Sequence, residues 1–417
     1  MSVHVITVGD ELLIGQVANT NATWLGERLT SFGLPVSEVR VIPDDRDAIR
    51  RSIEQSAGAA SVVVVTGGLG PTHDDVTREA VADACGAVLN FDGGWYDVIR
   101  RRFEERGRSM PESNRGQAMV PDGFEIMPNP IGTAPGLWAA RRFGQRDIDL
   151  AVLPGVPAEM KRMVENELLP RLDRRRAGAR AVAHVGMTGI GESHLQELLG
   201  EIRDRMANDV ALAYLPSLTG MRLRVTATGE FEDAVRRRVD EIVDYITDRA
   251  GRFVYTTAGE TIEAVVGRLL VGSTLTVATA ESCTGGRVAD RLTDVPGSSS
   301  YFLGSVVSYS NEVKVGLLGV DSAVLRREGA VSETVALEMA AGVRSRLGAD
   351  LGLASTGIMG PEGGTPDKPV GTLWVAVADG TGAVARTARL GLDRDENKTR
   401  ASTAAIDLLR LRLLGRI

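Results

Sequence analysis

The first part of the chain alternates between short apolar runs and longer segments with apolar residues at helical spacing. The short runs are rich in β-branched residues and indicate strands at 4–9, 35–42 and 61–68. The longer segments place apolar side chains three and four residues apart and indicate helices at 19–33, 46–57 and 74–86. This order predicts a doubly wound α/β domain that continues through a strand, a turn and an amphipathic helix at 148–172.

The pattern changes after a basic, small-residue-rich segment at 171–181, which is typical of a linker. The residues that follow predict strands and helices in the order β-α-β-β-α, ending in a long helix over 231–251. This segment, 173–255, therefore predicts a small α+β domain.

The remaining residues, 256–417, again alternate strands and helices and end in an amphipathic helix at 396–414. Helices are predicted at 311–318 and 333–347 between the strands. The predicted fold class is therefore α/β, with two α/β sandwich domains, 1–172 and 256–417, joined by the small α+β domain.

Composition limits the classes of protein to which this chain can belong. A length of 417 residues is too great for one ordinary core, and a net charge of −7 argues against a large nucleic-acid-binding face. Cys85 and Cys283 fall in different predicted domains, so we expect no disulfide framework and a cytoplasmic location. We expect no signal peptide, because the N-terminal residues form a strand pattern, and no membrane span, because no apolar run reaches ~18 residues.

The segment TAESCTGG (279–286) holds two adjacent candidate nucleophiles, Ser282 and Cys283, where a strand gives way to a helix. Unpaired backbone N–H groups at a helix start can hold an oxyanion, and Gly285 and Gly286 permit close approach of a ligand. A capped turn with a buried thiol is the structural alternative.

The segment SYSNEVK (308–314) adds a candidate general base. Asn311 is a suitable N-cap, which places Lys314 in the first helical turn, where the dipole favours the neutral amine and lowers its pKa. A lysine of lowered pKa can activate a serine, with Tyr309 as a relay or an orienting group. The chain has no histidine after residue 256, which favours Ser282 over Cys283 as the nucleophile. An exposed helix lysine is the alternative.

A long glycine- and proline-rich loop at 355–371 lies between two predicted strands. Such loops are usually functional, and this one offers bare backbone and a cation for phosphate binding. Its candidate residues are Gly357, Gly360, Gly363, Gly364 and Lys368.

Taken together, these three motifs resemble the C-terminal domain of the CinA family, a nicotinamide-nucleotide amidohydrolase. The resemblance implies hydrolysis of nicotinamide mononucleotide to nicotinic acid mononucleotide and ammonia, without a cofactor. It implies a catalytic set of Ser282, Tyr309 and Lys314, with an oxyanion held near Cys283 and Thr284. Candidates for binding the substrate's phosphate are Thr284, Gly285, Gly286, the 357–368 loop and Arg400.

Two N-terminal segments, GDELLIGQVANTNATWL (9–25) and TGGLGPTHDDVTREA (66–80), place polar residues after predicted strands. Ligands of open α/β sheets bind at the carboxyl ends of strands. Gly67, Gly68 and Gly70 offer bare backbone, and Asp74 and Asp75 open a helix, either as caps or as carboxylates near a divalent metal. Asp44 and Asp45 follow the second predicted strand at the same rim.

With the turns at 129–136 and 153–160, these segments resemble the N-terminal domain of the CinA family, which is related to the molybdopterin-binding MoaB/MogA fold. The resemblance implies a metal-dependent ADP-ribose pyrophosphatase with Mg, Mn or Co. Asp44 and Asp75 are the candidate metal ligands. The candidate substrate contacts are Glu11, Asn19, Asn21, Gly67, Gly68, Gly70, Asp74, Thr133 and Gly155. His73 adjoins the acids as a general base or is a surface histidine, and the surface interpretation is favoured. A binding module for a nucleotide or pterin, with a regulatory role, is the alternative.

The middle segment resembles the family's KH-like connecting domain. RNA-binding KH domains use a GXXG loop with basic flanks, whereas GIGE (189–192) carries an acid. We therefore expect a spacer or dimer element, a homodimer, and no direct binding to nucleic acid.

Overall fold

The computed structural model of this chain describes residues 2–173 and 178–417. The chain divides into two compact units, Met1–Gly178 and Ala179–Ile417. Part of the predicted linker, 174–177, lies outside the described residues.

The first unit contains a six-stranded sheet and a two-stranded one. The larger has the order β2-β1-β3-β8-β7-β6, and the smaller pairs β4 with β5. The elements are β1 (Val3–Val8), α1 (Asp10–Leu13), α2 (Thr20–Ser31), β2 (Val36–Ile42), α3 (Arg46–Ala57), β3 (Val62–Thr66), α4 (Thr77–Cys85), β4 (Leu89–Phe91), α5 (Gly93–Glu105), β5 (Met119–Pro121), β6 (Glu125–Met127), β7 (Gly136–Phe143), β8 (Arg146–Leu153), α6 (Pro157–Met163) and α7 (Leu169–Asp173).

The central strand β3 shows why this sheet is covered on both faces. Its run of valines is fully buried, with Val62 and Val64 in the cluster that contains Leu25 and Leu29 of α2. The alternate valines lie in the cluster that contains the isoleucines of α3. Strands β2, β1, β3 and β8 are parallel, as the βαβ pattern predicts, whereas β7 and β6 add an antiparallel edge.

The second unit contains an antiparallel sheet and a mixed sheet. Their strand orders are β10-β11-β9-β12 and β14-β13-β15-β16-β17. The elements are β9 (Ala179–Met187), α8 (Glu192–Leu199), β10 (Val210–Ser217), β11 (Gly220–Gly229), α9 (Glu232–Ala250), β12 (Val254–Thr256), α10 (Ile262–Ser273), β13 (Val277–Glu281), α11 (Arg287–Thr293), β14 (Phe302–Val307), α12 (Asn311–Leu318), α13 (Ser322–Glu328), α14 (Glu333–Leu347), β15 (Leu351–Gly357), β16 (Thr372–Ala378), β17 (Ala383–Arg389) and α15 (Arg394–Leu413).

The mixed sheet brings the C-terminal motifs together. Strand β13 runs parallel to both of its neighbours, β14 and β15, so the carboxyl ends of all three strands meet at one edge. The three C-terminal motifs follow these three strands.

In the described part of the chain, the helices lack the combination of length and apolar character that crossing a membrane requires.

Candidate active site

Ser282 and Lys314 meet at the carboxyl end of β13. Ser282 is the first residue after the strand, and its backbone N–H donates to the Ser355 carbonyl of neighbouring β15 at 2.9 Å. Lys314 extends from the first turn of α12, and its Nζ lies 3.1 Å from Ser282 Oγ. The two residues that the sequence predicts as nucleophile and base are therefore in hydrogen-bond contact.

The surroundings of Lys314 favour the neutral amine. The side chain is 1% exposed, and Nζ donates to the carbonyls of Ser308 (2.6 Å) and Tyr309 (3.2 Å). No carboxylate pairs with it among the described residues, and burial lowers its pKa. A neutral amine has two N–H groups and one lone pair. Two carbonyls occupy the N–H groups, and the lone pair is left for the Ser282 hydroxyl.

This geometry corrects two details of the sequence prediction. The helix is capped by Ser310, whose side chain accepts from Val313 N, and Asn311 is the first helical residue. Burial is the main cause of the lowered pKa of Lys314, whereas the sequence argument relied on the helix dipole. The alternative of an exposed helix lysine does not fit the structure.

Cys283 belongs to the hydrophobic core. Its thiol is buried, and a Cβ placed on Gly357 would lie 3.3 Å from Cys283 Sγ. Burial raises the pKa of this thiol to about 12, so it stays protonated at neutral pH. The more reactive side chain of the adjacent pair is therefore held in its unreactive form, which supports Ser282 as the nucleophile.

Glu281, the last residue of β13, organises the turn that follows. Its carboxylate is 1% exposed and accepts the backbone N–H groups of Gly286 (2.9 Å), Val288 (3.0 Å) and Ala289 (2.8 Å). The Thr284 hydroxyl also donates to it, at 2.6 Å. The sequence prediction omitted Glu281, although an acid that ends an otherwise apolar strand was an available signal. The Glu281 carboxylate thus binds the N–H groups at the start of α11, where the sequence predicts a bound ligand.

The occupied helix start changes the role of the glycine turn. Gly286 gives its N–H to Glu281, and the Thr284 hydroxyl is shared between Glu281 and Ser355, so neither group is open to a substrate phosphate. The backbone N–H groups of Thr284 and Gly285 have no partner in the described part of the chain. Thr284 is 0% exposed, whereas Gly285 is exposed, so the Gly285 N–H is the candidate donor to an oxyanion.

Replacement of Glu281 by glutamine is expected to loosen this turn. Each carboxylate oxygen accepts at least one backbone N–H group. In Gln an amide nitrogen replaces one of these oxygens, so its N–H groups would face a backbone N–H donor. A buried unsatisfied donor costs about 1–3 kcal/mol, which a denaturant titration of Glu281→Gln should show as lower unfolding free energy. Glu333→Gln, an exposed acid at the start of α14, is the matched control. Equal unfolding free energies for the two variants would contradict this role.

Tyr309 stands at the rim of the site. Its side chain is 64% exposed, and its hydroxyl accepts from Arg394 Nη2 at 3.1 Å, while its backbone carbonyl contacts Lys314. The Tyr309 hydroxyl is thus engaged with α15, which does not support the relay role that the resemblance implies.

Helix α15 brings two cations that the sequence prediction omitted. Arg394 also donates to the Gly360 carbonyl at 2.7 Å, and a Cβ on Gly285 would lie 3.6 Å from Lys398 Nζ. Arg400, the predicted phosphate ligand, lines a different cavity and lies 3.6 Å from Glu396. Arg394, beside Tyr309, and Lys398, beside Gly285, therefore replace Arg400 as the candidate α15 cations.

The residues of the 355–371 loop take part in close packing and internal hydrogen bonds, whereas the sequence predicts that they bind phosphate. A Cβ on Gly357 would lie 2.6 Å from Met359 Cε, and one on Gly364 would lie 2.7 Å from Val370 N, so close packing requires both glycines. Gly360 and Gly363 adopt positive φ angles of 89°. The Lys368 ammonium donates to the carbonyls of residues 328 and 331, which directs it away from the predicted role of phosphate ligand.

In the first unit, a small cleft of about 120 Å³ lies beside the start of α2. Four predicted substrate contacts line it: Glu11, Asn19, Asn21 and Gly155. Asn21 Nδ2 donates to the Gly155 carbonyl at 2.7 Å, whereas its buried Oδ1 has no partner among the described residues. Asn19 caps α2 and donates to Thr7 Oγ1 at 2.9 Å. This cleft is therefore the part of the predicted N-terminal site that assembles.

The predicted glycine turn and metal ligands lie outside that cleft. A Cβ on Gly67 or Gly68 would collide with Val8 or Thr77, so packing within the turn explains these glycines. The Gly70 N–H donates to Asp75 at 2.7 Å. Asp74 is exposed, and the Thr133 carbonyl accepts the indole N–H of Trp95 at 3.1 Å.

The predicted metal ligands, Asp44 and Asp75, do not form a pair. Asp75 accepts the N–H groups of Gly70 and Thr72, and Asp44 accepts the Asp10 N–H at 3.0 Å. Burial raises the pKa of Asp44, with further contributions from Asp10, Glu11 and Asp74. Among the described residues, no group of three or more His, Cys, Asp or Glu is arranged to hold a metal ion. The carboxylates thus do not fit a preformed metal site.

Three family profiles match the chain in sequence order. They are described as a probable molybdopterin binding domain at 4–174, a damage-inducible protein CinA KH domain at 184–256 and a CinA C-terminal domain at 259–413. A CinA-like protein from Salinibacter ruber is 45% identical over 98% of both chains. Another from Chloroherpeton thalassium is 41% identical over 98% of this chain and 99% of its own.

A solved structure matches part of the chain. It is a CinA protein from Thermoplasma acidophilum, described as of unknown function and 36% identical, with a TM-score of 0.36. The match covers 39% of this chain and 94% of that protein.

Proposed function

Because this chain belongs to the CinA family, we propose that its Ser282 site is an amidohydrolase that acts on the carboxamide of nicotinamide mononucleotide. The observation that carries the proposal is the contact between Ser282 Oγ and the buried Lys314 amine, which forms no ion pair with a described carboxylate. A serine with an adjacent neutral amine is a means of activating a hydroxyl for acyl transfer.

The reaction follows from the contacts at Lys314. The neutral amine takes the proton of Ser282, and Oγ attacks the carboxamide carbon to form a tetrahedral oxyanion. The exposed N–H of Gly285 donates to this oxyanion. The Lys314 ammonium returns the proton to the leaving nitrogen, so that ammonia departs and an acyl-enzyme remains. Water, deprotonated by Lys314, then releases nicotinic acid mononucleotide and frees Ser282.

The substrate's phosphate calls for cations close to this pair. Arg394 and Lys398 supply them from α15, next to Tyr309 and Gly285. Guanidinium and ammonium groups are the usual partners of phosphate. We propose these two residues as the phosphate-binding groups, with no metal or other cofactor at this site.

For the first unit, we propose that the cleft at Asn21 binds a nucleotide such as ADP-ribose. The supporting observation is the buried Asn21 Oδ1, an acceptor without a partner among the described residues, beside Glu11 and Gly155. We derive no metal-dependent step, because the carboxylates present do not assemble into a site. Pyrophosphate hydrolysis with Mg, Mn or Co stays a proposal for the first unit.

One pair of assays tests both proposals on the full chain. With nicotinamide mononucleotide, we expect ammonia release that EDTA leaves unchanged. With ADP-ribose, we expect binding in EDTA, and AMP release after Mn²⁺ or Co²⁺ is added would support metal-dependent hydrolysis. Absence of ammonia would overturn the amidase proposal. ADP-ribose that binds but is not hydrolysed would leave the first unit as a binding module.

Location and assembly complete the proposal. Both cysteines, Cys85 and Cys283, are free thiols, which supports a reducing, cytoplasmic environment. We also propose a homodimer, with nicotinamide mononucleotide and ADP-ribose as the small-molecule partners.

A further inference from the structure

The second unit holds a larger cavity that is separate from Ser282. It has a volume of about 630 Å³ and lies between the antiparallel sheet and the edge of the mixed sheet. The turn at 188–192 and the β10–β11 hairpin form one wall, and β17 with α15 forms the other. Arg410 fixes the two walls together, because its buried side chain donates from α15 to the carbonyls of Val254 and Arg252.

We propose that this cavity binds a small organic phosphate, the phosphate being held by Arg386, Arg389 and Arg400. Known pockets for small molecules occupy about 300–1,000 Å³ and combine apolar walls with a few polar groups. Apolar side chains in this cavity are Ile190, Leu218, Met221, Val375, Ala388 and Leu390. The cavity therefore has the size and the mixed lining of a ligand site.

The charge of the lining is the main argument for an anion. Arg386 and Arg389 form no ion pair within the described ranges, although the charge of Asp407 acts on Arg386, and Arg400 has only a contact of 3.6 Å to Glu396. Guanidinium groups without a close ion-pair partner around one cavity attract phosphate, which they bind in a forked geometry. This concentration of positive charge is found in a chain whose net charge is −7.

The opposite wall adds the start of a helix. Gly191 is the N-cap of α8, has no side-chain cap, and lines the cavity. First-turn N–H groups favour an anion, so both walls present donors to one space. This turn is the GIGE segment (189–192). Its acid argues against RNA binding, whereas the cavity beside it has space for a small ligand.

Two acids also line the cavity, and their charges affect how well it can bind an anion. Asp407 is paired with Arg410 at 2.8 Å, which compensates its charge. Glu192 is exposed at the first position of α8 and opposes the binding of an anion. Its removal should therefore strengthen binding, in contrast to removal of the arginines.

Calorimetric titration of the full chain with AMP, and with adenosine as a control ligand, tests this site. Arg386→Ala/Arg389→Ala should eliminate one AMP-binding event or weaken it about tenfold or more, which corresponds to about 1.4 kcal/mol. Arg326→Ala/Arg327→Ala, which removes two exposed arginines from α13, should leave it unchanged. Glu192→Gln should tighten it by roughly two- to fivefold.

Two further measurements separate this site from the amidase. Ammonia release should be the same in all three variants, because none of their substituted residues contacts Ser282 or Lys314. AMP binding at this site should weaken as salt is added. Equal AMP isotherms for wild type and the Arg386/Arg389 double variant would overturn the proposal, as would adenosine bound as tightly as AMP by a site that this double variant loses.

Discussion

Ser282→Ala is expected to reduce ammonia release from nicotinamide mononucleotide on the order of 10⁴-fold or more, because it removes the attacking oxygen. The variant should fold normally, since Ser282 holds its place in the turn through its backbone N–H to Ser355. Substrate binding should persist, because the proposed phosphate ligands lie on α15. The measurements are kcat from ammonia release and Kd from equilibrium titration.

Cys283→Ala is the matched control for that variant. The thiol is protonated and packed in the core, so its loss should lower stability through a small cavity and leave most of the activity. An active Ser282→Ala together with an inactive, folded Cys283→Ala would assign the nucleophile to the thiol and overturn the mechanism.

Lys314→Met is expected to lower kcat by about 10²–10⁴-fold, the usual contribution of a general base. Methionine is an unbranched side chain of similar length, so it fills the buried position without a titrating group. The measurement is the pH dependence of kcat/KM. Comparison with Lys314→Arg adds a control, because arginine retains a charge but stays protonated.

The sign of the pH dependence follows from the pKa shift. In the proposed reaction Lys314 acts as a base when neutral, and burial lowers its pKa from 10.5. Wild-type kcat/KM should therefore rise with pH and level off after Lys314 loses its proton, with a midpoint below 10.5. This rising limb should disappear in Lys314→Met. If the limb is unchanged in that variant, another group is the base.

The sequence pattern predicts the strands and helices around Ser282 but not the orientation of side chains on those helices. Residues 394 and 398 are four apart and share one face of α15, whereas residue 400 is turned away by about 200° from 398. Nearness to the helix start suggests Arg400, but helical phase brings Arg394 to Tyr309 and Lys398 to Gly285. Phase relative to the sheet depends on packing, which a single sequence does not show.

Glu281 and Lys368 illustrate a second limit. An alternating pattern assigns a residue to a strand or loop but does not say which donors or acceptors surround it. Glu281 is paired with the N–H groups of the following turn, and Lys368 with carbonyls near the end of α13. Both pairings join segments through tertiary structure. The prediction also omits α13 and β17, because short elements with half-exposed faces give weak periodicity.

The way in which Lys314 is held has a consequence for how such sites diverge. Its two fixed partners are peptide carbonyls at 308 and 309, and every residue type has that group. Selection on the base therefore constrains the path of the backbone there more strongly than the identity of the side chains. A search that requires the letters of the 308–314 motif therefore excludes chains whose backbone holds a lysine in the same way.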